Sequence, residues 1–178
     1  MSKVALSLGS NRDACKHLQE ALDALYAEFG ELQLSSVFES EAVGFKGANF
    51  LNMVVVINTD DSLPYLIQFL KTLEDQHGRL RDGPRFSART LDIDILTYDE
   101  LQGEFAGIML PRAEILENAY VLWPLAQLLG AQLHPACGRS YAALWHSYDR
   151  SRQRLWPIDF NWHERVISRA QVASAQMD

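Results

Sequence analysis

Asn52-Met-Val-Val-Val-Ile-Asn-Thr59 decides the architecture of this chain. Three valines and an isoleucine branch at Cβ, which disfavours a helix and suits a pleated, buried strand. Turn residues Gly44, Gly47 and Asn49 precede it. On its C-terminal side, Asp61 or Ser62 caps a helix with Pro64 in the first turn, where a missing N–H is tolerated. Leu66, Phe69 or Leu70, and Leu73 form the apolar stripe of that helix, and Gly78 ends it. Arg79 to Ala88 is a polar loop around Gly83-Pro84, and Leu91 to Tyr98 alternates as a further strand. On the N-terminal side, Lys3 to Leu8 reads as a buried strand closing at Gly9-Ser10-Asn11. A helix from about Asp13 to Phe29 follows, with Leu18, Leu22, Leu25, Tyr26 and Phe29 on one face and Gly30 as its stop. Leu32 to Glu39 reads as another strand.

Strand, helix, strand, strand, helix, strand is the ferredoxin-like βαββαβ order, an α+β fold with helices layered on a mostly antiparallel sheet. A helix around Ala119 to Leu129, interrupted by Pro124, comes next, and helical and irregular pieces are expected from Gly138 onward. The expected organisation is one domain over 1–160 and a helical or frayed tail over 161–178.

A net charge of −7 and a pI near 5.2 argue against broad nucleic-acid binding and against anionic membranes. An anionic ligand would need a local basic cluster. Cys15 and Cys137 make no Cys-x-x-Cys pair and read as free thiols of a reducing cytoplasm. The first apolar run is too short for a secretory signal, and no run approaches the length of a membrane span, so a cytoplasmic location is expected.

The chemistry-bearing residues begin in the alternating strand. Leu91, Ile93 and Ile95 point to the core, so Asp92 and Asp94 share the opposite face, about 7 Å apart along the strand. Paired like charges repel unless a cation intervenes, and magnesium takes one or two carboxylates, water and substrate phosphates. From the two aspartates alone, a solvated strand face is the favoured reading. Four arginines, Arg79, Arg81, Arg85 and Arg89, lie just upstream, and their planar forks suit phosphate oxygens. Carboxylates for magnesium beside arginines for phosphate are the minimum equipment for phosphoryl transfer. No Gly-x-x-x-x-Gly-Lys-Ser/Thr cradle is present. Phe50 and Asn52 flank Leu51 at a strand entry and can face one side, an aromatic for stacking and an amide for hydrogen bonding. From these residues alone, an ordinary strand entry with one core aromatic is the favoured reading there.

Together these segments resemble the 6-hydroxymethyl-7,8-dihydropterin pyrophosphokinase family of folate synthesis. The resemblance rests, in order, on Leu8-Gly-Ser-Asn11, Phe50-Leu-Asn52, Leu73-Glu-Asp-Gln-His-Gly-Arg79, Arg89-Thr-Leu-Asp-Ile-Asp-Ile-Leu96 and Tyr120-Val-Leu-Trp-Pro-Leu125. It implies a three-layer ferredoxin-like fold. It also implies a reaction in which ATP, as co-substrate, passes its β,γ-pyrophosphoryl group to the pterin hydroxymethyl oxygen and leaves as AMP. By position, Asp92 and Asp94 would hold two Mg2+ ions, and Arg79 and Arg89 would stabilise the transferring group. Phe50 and Tyr120 would sandwich the pterin and Asn52 would read its edge, with Ala42 and Val43 closing the pocket. Glu74, Arg81, Arg85, Ile95 and Arg112 would lie on the nucleotide side. The implied partners are these small molecules, with no nucleic acid and no membrane, and a monomer or weak homo-oligomer.

This chain departs from the family pattern mainly on the nucleotide side. Ser87-Ala88 replaces the usual Gly-Pro before Arg89, and Arg112 stands where histidine is usual. Ala113, Asn118 and Gly107 replace further expected residues, and Ser40-Glu41 replaces a Thr-Pro pair. Two other readings follow: a pterin- or nucleotide-binding homologue with weak or no turnover, and a ferredoxin-like RNA-binding module.

Overall fold

The structure, a computed structural model, describes residues 1–41, 47–78 and 90–171. Strand β1 (Ser2–Ser10) leads to helix α1 (Ala14–Phe29), whose buried face carries Leu18, Ala21, Leu22 and Leu25. The expected second strand is broken into β2 (Gln33–Leu34) and β3 (Phe38–Ser40). Serine chemistry causes the break. The Ser35 hydroxyl accepts the Val54 N–H at 2.8 Å, while the Ser35 N–H donates to the Val54 carbonyl at 3.0 Å. A side chain thus takes a place in the ladder that a backbone carbonyl would otherwise hold.

β4 (Phe50–Thr59) is the central strand anticipated from its valines. Helix α2 (Leu63–Gln76) opens at Ser62, whose hydroxyl accepts the Tyr65 N–H at 3.3 Å. Its C-cap is His77, with Gly78 turning the chain at φ +74°. β5 (Asp92–Tyr98) follows, then a hairpin of β6 (Gly103–Phe105) and β7 (Ile108–Leu110). Helices α3 (Glu114–Glu117), α4 (Ala119–Leu129) and α5 (Tyr141–Ser147) come next. The first helical N–H of α4, on Ala119, donates to Gln153 Oε1 at 2.7 Å, and the Gln153 amide donates back to Asn118 Oδ1 at 2.8 Å. α4 continues through Pro124, which has no N–H to offer the Tyr120 carbonyl four residues earlier.

The expectation of a helical or frayed tail over 161–178 is corrected over 161–168, and 172–178 lie outside the described residues. β8 (Leu155–Pro157) pairs with β3, and β9 (Phe160–Trp162) and β10 (Arg165–Ser168) form a hairpin. Phe160 and Trp162 are buried, and the Trp162 indole N–H donates to Asp23 of α1 at 2.9 Å. Apolar burial and this anchor hold the segment in place.

The sheet order is β5-β1-β4-β3-β8, with β2 also on β4, and every pairing is antiparallel. Leaving aside β8, this is the ferredoxin-like arrangement, and it has helices on both faces. Val4, Leu6, Leu8, Leu51, Met53, Val55, Ile93 and Ile95 meet α1 and α2 on one face. Ala5, Val54, Val56 and Leu96 meet Val121, Leu122 and Leu125 of α4 and Tyr141 of α5 on the other. Each fully buried leucine, such as Leu6, Leu18 or Leu66, contributes about 1.5–3 kcal/mol from its removal from water. No helix among the described residues is long and apolar enough to cross a membrane.

Candidate active site

Gly9 sits at the centre of the site because of strand register. It pairs with Asp92 of β5 on one side and with Asn52 of β4 on the other. Directly opposed residues in antiparallel strands point to the same face. Asp92, Gly9 and Asn52 therefore form a row across three strands, with the backbones of the two outer residues about 10 Å apart at two strand spacings. Two residues along, Asp94 stands opposite Ser7. Phe50 stands opposite Ser40 of β3. The strand alternation read from sequence thus holds: Asp92, Asp94, Phe50 and Asn52 share the face that α4 partly covers, while Leu91, Ile93 and Ile95 join the core beneath α1 and α2.

The glycine is needed for space. A Cβ at position 9 would lie 2.7 Å from Asn52 Oδ1. Asn52 is buried, and its Nδ2 donates to the Ser40 hydroxyl at 3.4 Å. Gly9 leaves that amide room to lie across β1.

Asp94 is about half exposed, and Arg112 Nη2 lies 3.5 Å from its Oδ1. Arg112 Nε is 3.1 Å from Glu114 Oε2, so the guanidinium is held between two carboxylates. Tyr120, in the first turn of α4, has its phenol pushed up, chiefly by burial and then by the charges of Glu114 and Asp94. The ring therefore stays neutral beside the acidic row. The donors offered at Asp92 and Asp94 are all oxygen, and they lie on an accessible face. That set fits a hard cation such as magnesium, which prefers carboxylate and water.

A second compartment opens along the outer edge of β5. A cavity of about 190 Å³ is bounded by Ile67, Leu70, Lys71 and Glu74 of α2, by Ile93, Asp94 and Ile95 of β5, and by Ile108 and Arg112. Its volume is below the range of about 300–1,000 Å³ typical for drug-sized ligands, so it admits only a small fragment of a larger molecule. Glu74, Ile95 and Arg112, far apart in sequence, meet here beside Asp94. Glu74 is buried and accepts the Ile93 N–H at 3.1 Å, which ties α2 to the edge strand.

Arg79, Arg81, Arg85, Arg89, Ala42 and Val43 lie outside the described residues. Ser7, Lys71 and Glu114 have no role in the sequence reading, and Gly9 enters it only as a turn signal and a motif residue, whereas β1 runs on through Gly9 to Ser10. A glycine inside a strand pattern does signal a close approach, but which atom approaches depends on the register.

The sequence model of the 7,8-dihydro-6-hydroxymethylpterin-pyrophosphokinase family matches residues 5–130. A 2-amino-4-hydroxy-6-hydroxymethyldihydropteridine pyrophosphokinase of Bacillus subtilis is 33% identical over 133 residues, covering 72% of this chain and 79% of the relative. Its namesake in Synechocystis is 30% identical over 146 residues, covering 77% and 73%. Among solved structures, an HPPK-DHPS in complex with substrates superposes with a TM-score of 0.69 at 14% identity. That match covers 94% of this chain, which spans about half of the solved one, 48%, and it speaks for the fold alone. With the family model matching most of its length and these relatives at 30% identity or above, the chain belongs to the 7,8-dihydro-6-hydroxymethylpterin-pyrophosphokinase family.

Proposed function

We propose that this chain transfers the β,γ-pyrophosphoryl group of ATP to the hydroxymethyl oxygen of 6-hydroxymethyl-7,8-dihydropterin, releasing AMP, as a step of folate synthesis. The observation that carries the reading is the row Asp92, Gly9, Asn52, with the Glu74–Ile95–Arg112 cavity reaching Asp94 from the strand edge. Two substrates can meet at the carboxylates from opposite sides.

Asn52 presents an amide that can donate to and accept from a flat heterocycle, and Phe50 and Tyr120 supply ring faces for stacking. The cavity takes the base of the nucleotide, which directs the triphosphate toward Asp94. The pterin oxygen then attacks the β-phosphorus, the bond from that phosphorus to the oxygen bridging it to the α-phosphorus breaks so that AMP leaves with the oxygen, and the hydroxyl proton passes to water. Two Mg2+ ions fit at Asp92 and Asp94, and when bound they would supply charge neutralisation for the phosphates. Arg79 and Arg89 stabilise the transferring group, and Arg81 and Arg85 hold the nucleotide phosphates. We also place the reaction in the cytoplasm.

Arg112 favours a second reading, a homologue with weak turnover. Its guanidinium is engaged with Glu114 and Asp94. That contact competes for a metal ligand. An RNA-binding role is disfavoured by the two carboxylates, which repel phosphodiesters, and by α4, which partly covers their sheet face.

Purified protein incubated with ATP, magnesium and hydroxymethyl dihydropterin should form AMP, and chelation of magnesium should stop it. Pterin binding without AMP would favour the weak homologue. Absence of both pterin binding and AMP would defeat the proposal.

A further inference from the structure

Away from the carboxylate row, α1 and the end of α2 bring together three side chains that the reaction does not use. His17 and Glu20 are three residues apart on α1 and so lie on one side of the helix. His77 caps α2, at the carbonyl end, where the helix dipole favours a cation. His17 Nδ1 is 2.6 Å from His77 Nδ1, and His77 Nδ1 is 3.7 Å from Glu20 Oε2. The rings meet edge to face, at 74° with centroids 4.9 Å apart. One ligand atom from each residue lies within 4.8 Å of the others.

We propose that His17, Glu20 and His77 form a binding site for one divalent transition-metal ion of the zinc class, distinct from the Asp92/Asp94 pair. Two imidazoles and a carboxylate are a donor set that zinc, cobalt or nickel accepts and magnesium does not favour. Zinc–nitrogen bonds of about 2.0–2.1 Å at a tetrahedral angle place two ring nitrogens roughly 3.3 Å apart. The rings need to open by ~0.7 Å from their present contact, a small side-chain rotation. His77 has only 8% of its side chain exposed, so its position is largely set before any ion arrives. Its pKa is lowered, first by burial and then by the neighbouring His17, which favours the neutral, ligating form. Glu20 is about half exposed, and three protein ligands leave the fourth position of a tetrahedral ion to water. An ion here would clamp α1 to the end of α2, immediately before Gly78-Arg79. The competing account is a single N–H···N hydrogen bond between two neutral histidines.

Metal-stripped full-length protein, kept in excess magnesium to occupy the carboxylates, is titrated calorimetrically with ZnCl2. Binding in the same conditions is followed by cobalt absorption. The expected result is one ion per chain with tetrahedral cobalt bands, and a Tm rise of roughly 5–10 °C at ~100-fold excess over Kd. His17→Ala and His77→Ala should each weaken zinc by ~100-fold or more, and Glu20→Gln by ~10-fold. His17→Gln serves if the alanine variant misfolds. Cys15→Ser and Asp94→Asn should leave zinc affinity unchanged. Absence of saturable zinc binding, binding that survives His17→Gln and Glu20→Gln, or binding lost on Cys15→Ser or Asp94→Asn alone would each overturn the site.

Discussion

Gly9→Ala inserts one methyl group between the two halves of the proposed site. The new Cβ would stand 2.7 Å from Asn52 Oδ1, about 0.7 Å inside an ordinary contact of roughly 3.4 Å. The extended backbone at position 9 accepts alanine without strain, so the whole effect comes from this overlap. Asn52 is buried and tied to Ser40, so its amide yields only by giving up that hydrogen bond. Overpacking of this kind costs about 1–3 kcal/mol. Loss of glycine's freedom in the unfolded chain returns about 0.4–1 kcal/mol. A net destabilisation of roughly 1–2 kcal/mol corresponds to a Tm drop of about 2–8 °C for a chain of this size. A displaced amide should also weaken pterin binding by about 1–3 kcal/mol, or roughly 5- to 150-fold. Calorimetric titration with hydroxymethyl dihydropterin and thermal unfolding measure the two effects separately. In an Asn52→Ala background the added methyl meets no amide, so Gly9→Ala should then cost less than about 0.5 kcal/mol and nothing further in affinity. Undiminished pterin affinity in Gly9→Ala, or an equal stability cost in both backgrounds, would refute the reasoning.

Asp94→Ala should abolish magnesium-dependent AMP formation while changing stability by no more than about 1 kcal/mol, because its ion pair with Arg112 is partly exposed. Wild-type turnover in that variant would rule out the metal assignment. Glu74→Ala strips the Ile93 N–H of a buried acceptor and should cost about 1–3 kcal/mol, read as a lower denaturant midpoint. An unchanged midpoint would show that the tie between α2 and β5 is dispensable. The protein should also lose stability on mild acidification. His134 Nδ1 accepts the N–H groups of Ala136 and Cys137 at 3.1 and 3.2 Å, and burial holds its pKa below the ordinary 6.5. The unfolded chain therefore takes up a proton first as pH falls through about 6.5, and the loss continues down to the lower folded pKa. Urea midpoints at about pH 7.5 and pH 5.5 should fall in that order, with a shallower fall in His134→Asn. A midpoint that rises on acidification, or a slope that His134→Asn leaves unchanged, contradicts this account.

Much of the fold was legible because its signals are local. Period-two alternation assigned Asp92 and Asp94 to one face and Leu91, Ile93 and Ile95 to the other, and the valines of β4 declared the central strand. Ser62, Pro64 and the leucine stripe announced α2 within a few residues of its observed start. Short elements carry too few residues for a period to register. Hence β8, β9 and β10, of three or four residues each, were not anticipated, and the Ser35 break in the second strand was read through. In the site, residue types and strand faces could be read along the chain, and the family resemblance supplied their roles. Register was not available from sequence, because it depends on which residues of β1 stand opposite β4 and β5. Only the tertiary structure makes Gly9 the spacer beneath Asn52, pairs Arg112 with Asp94, and brings His17 to His77 from sixty residues away. Those relations are decided by packing between distant segments, and no local pattern encodes them.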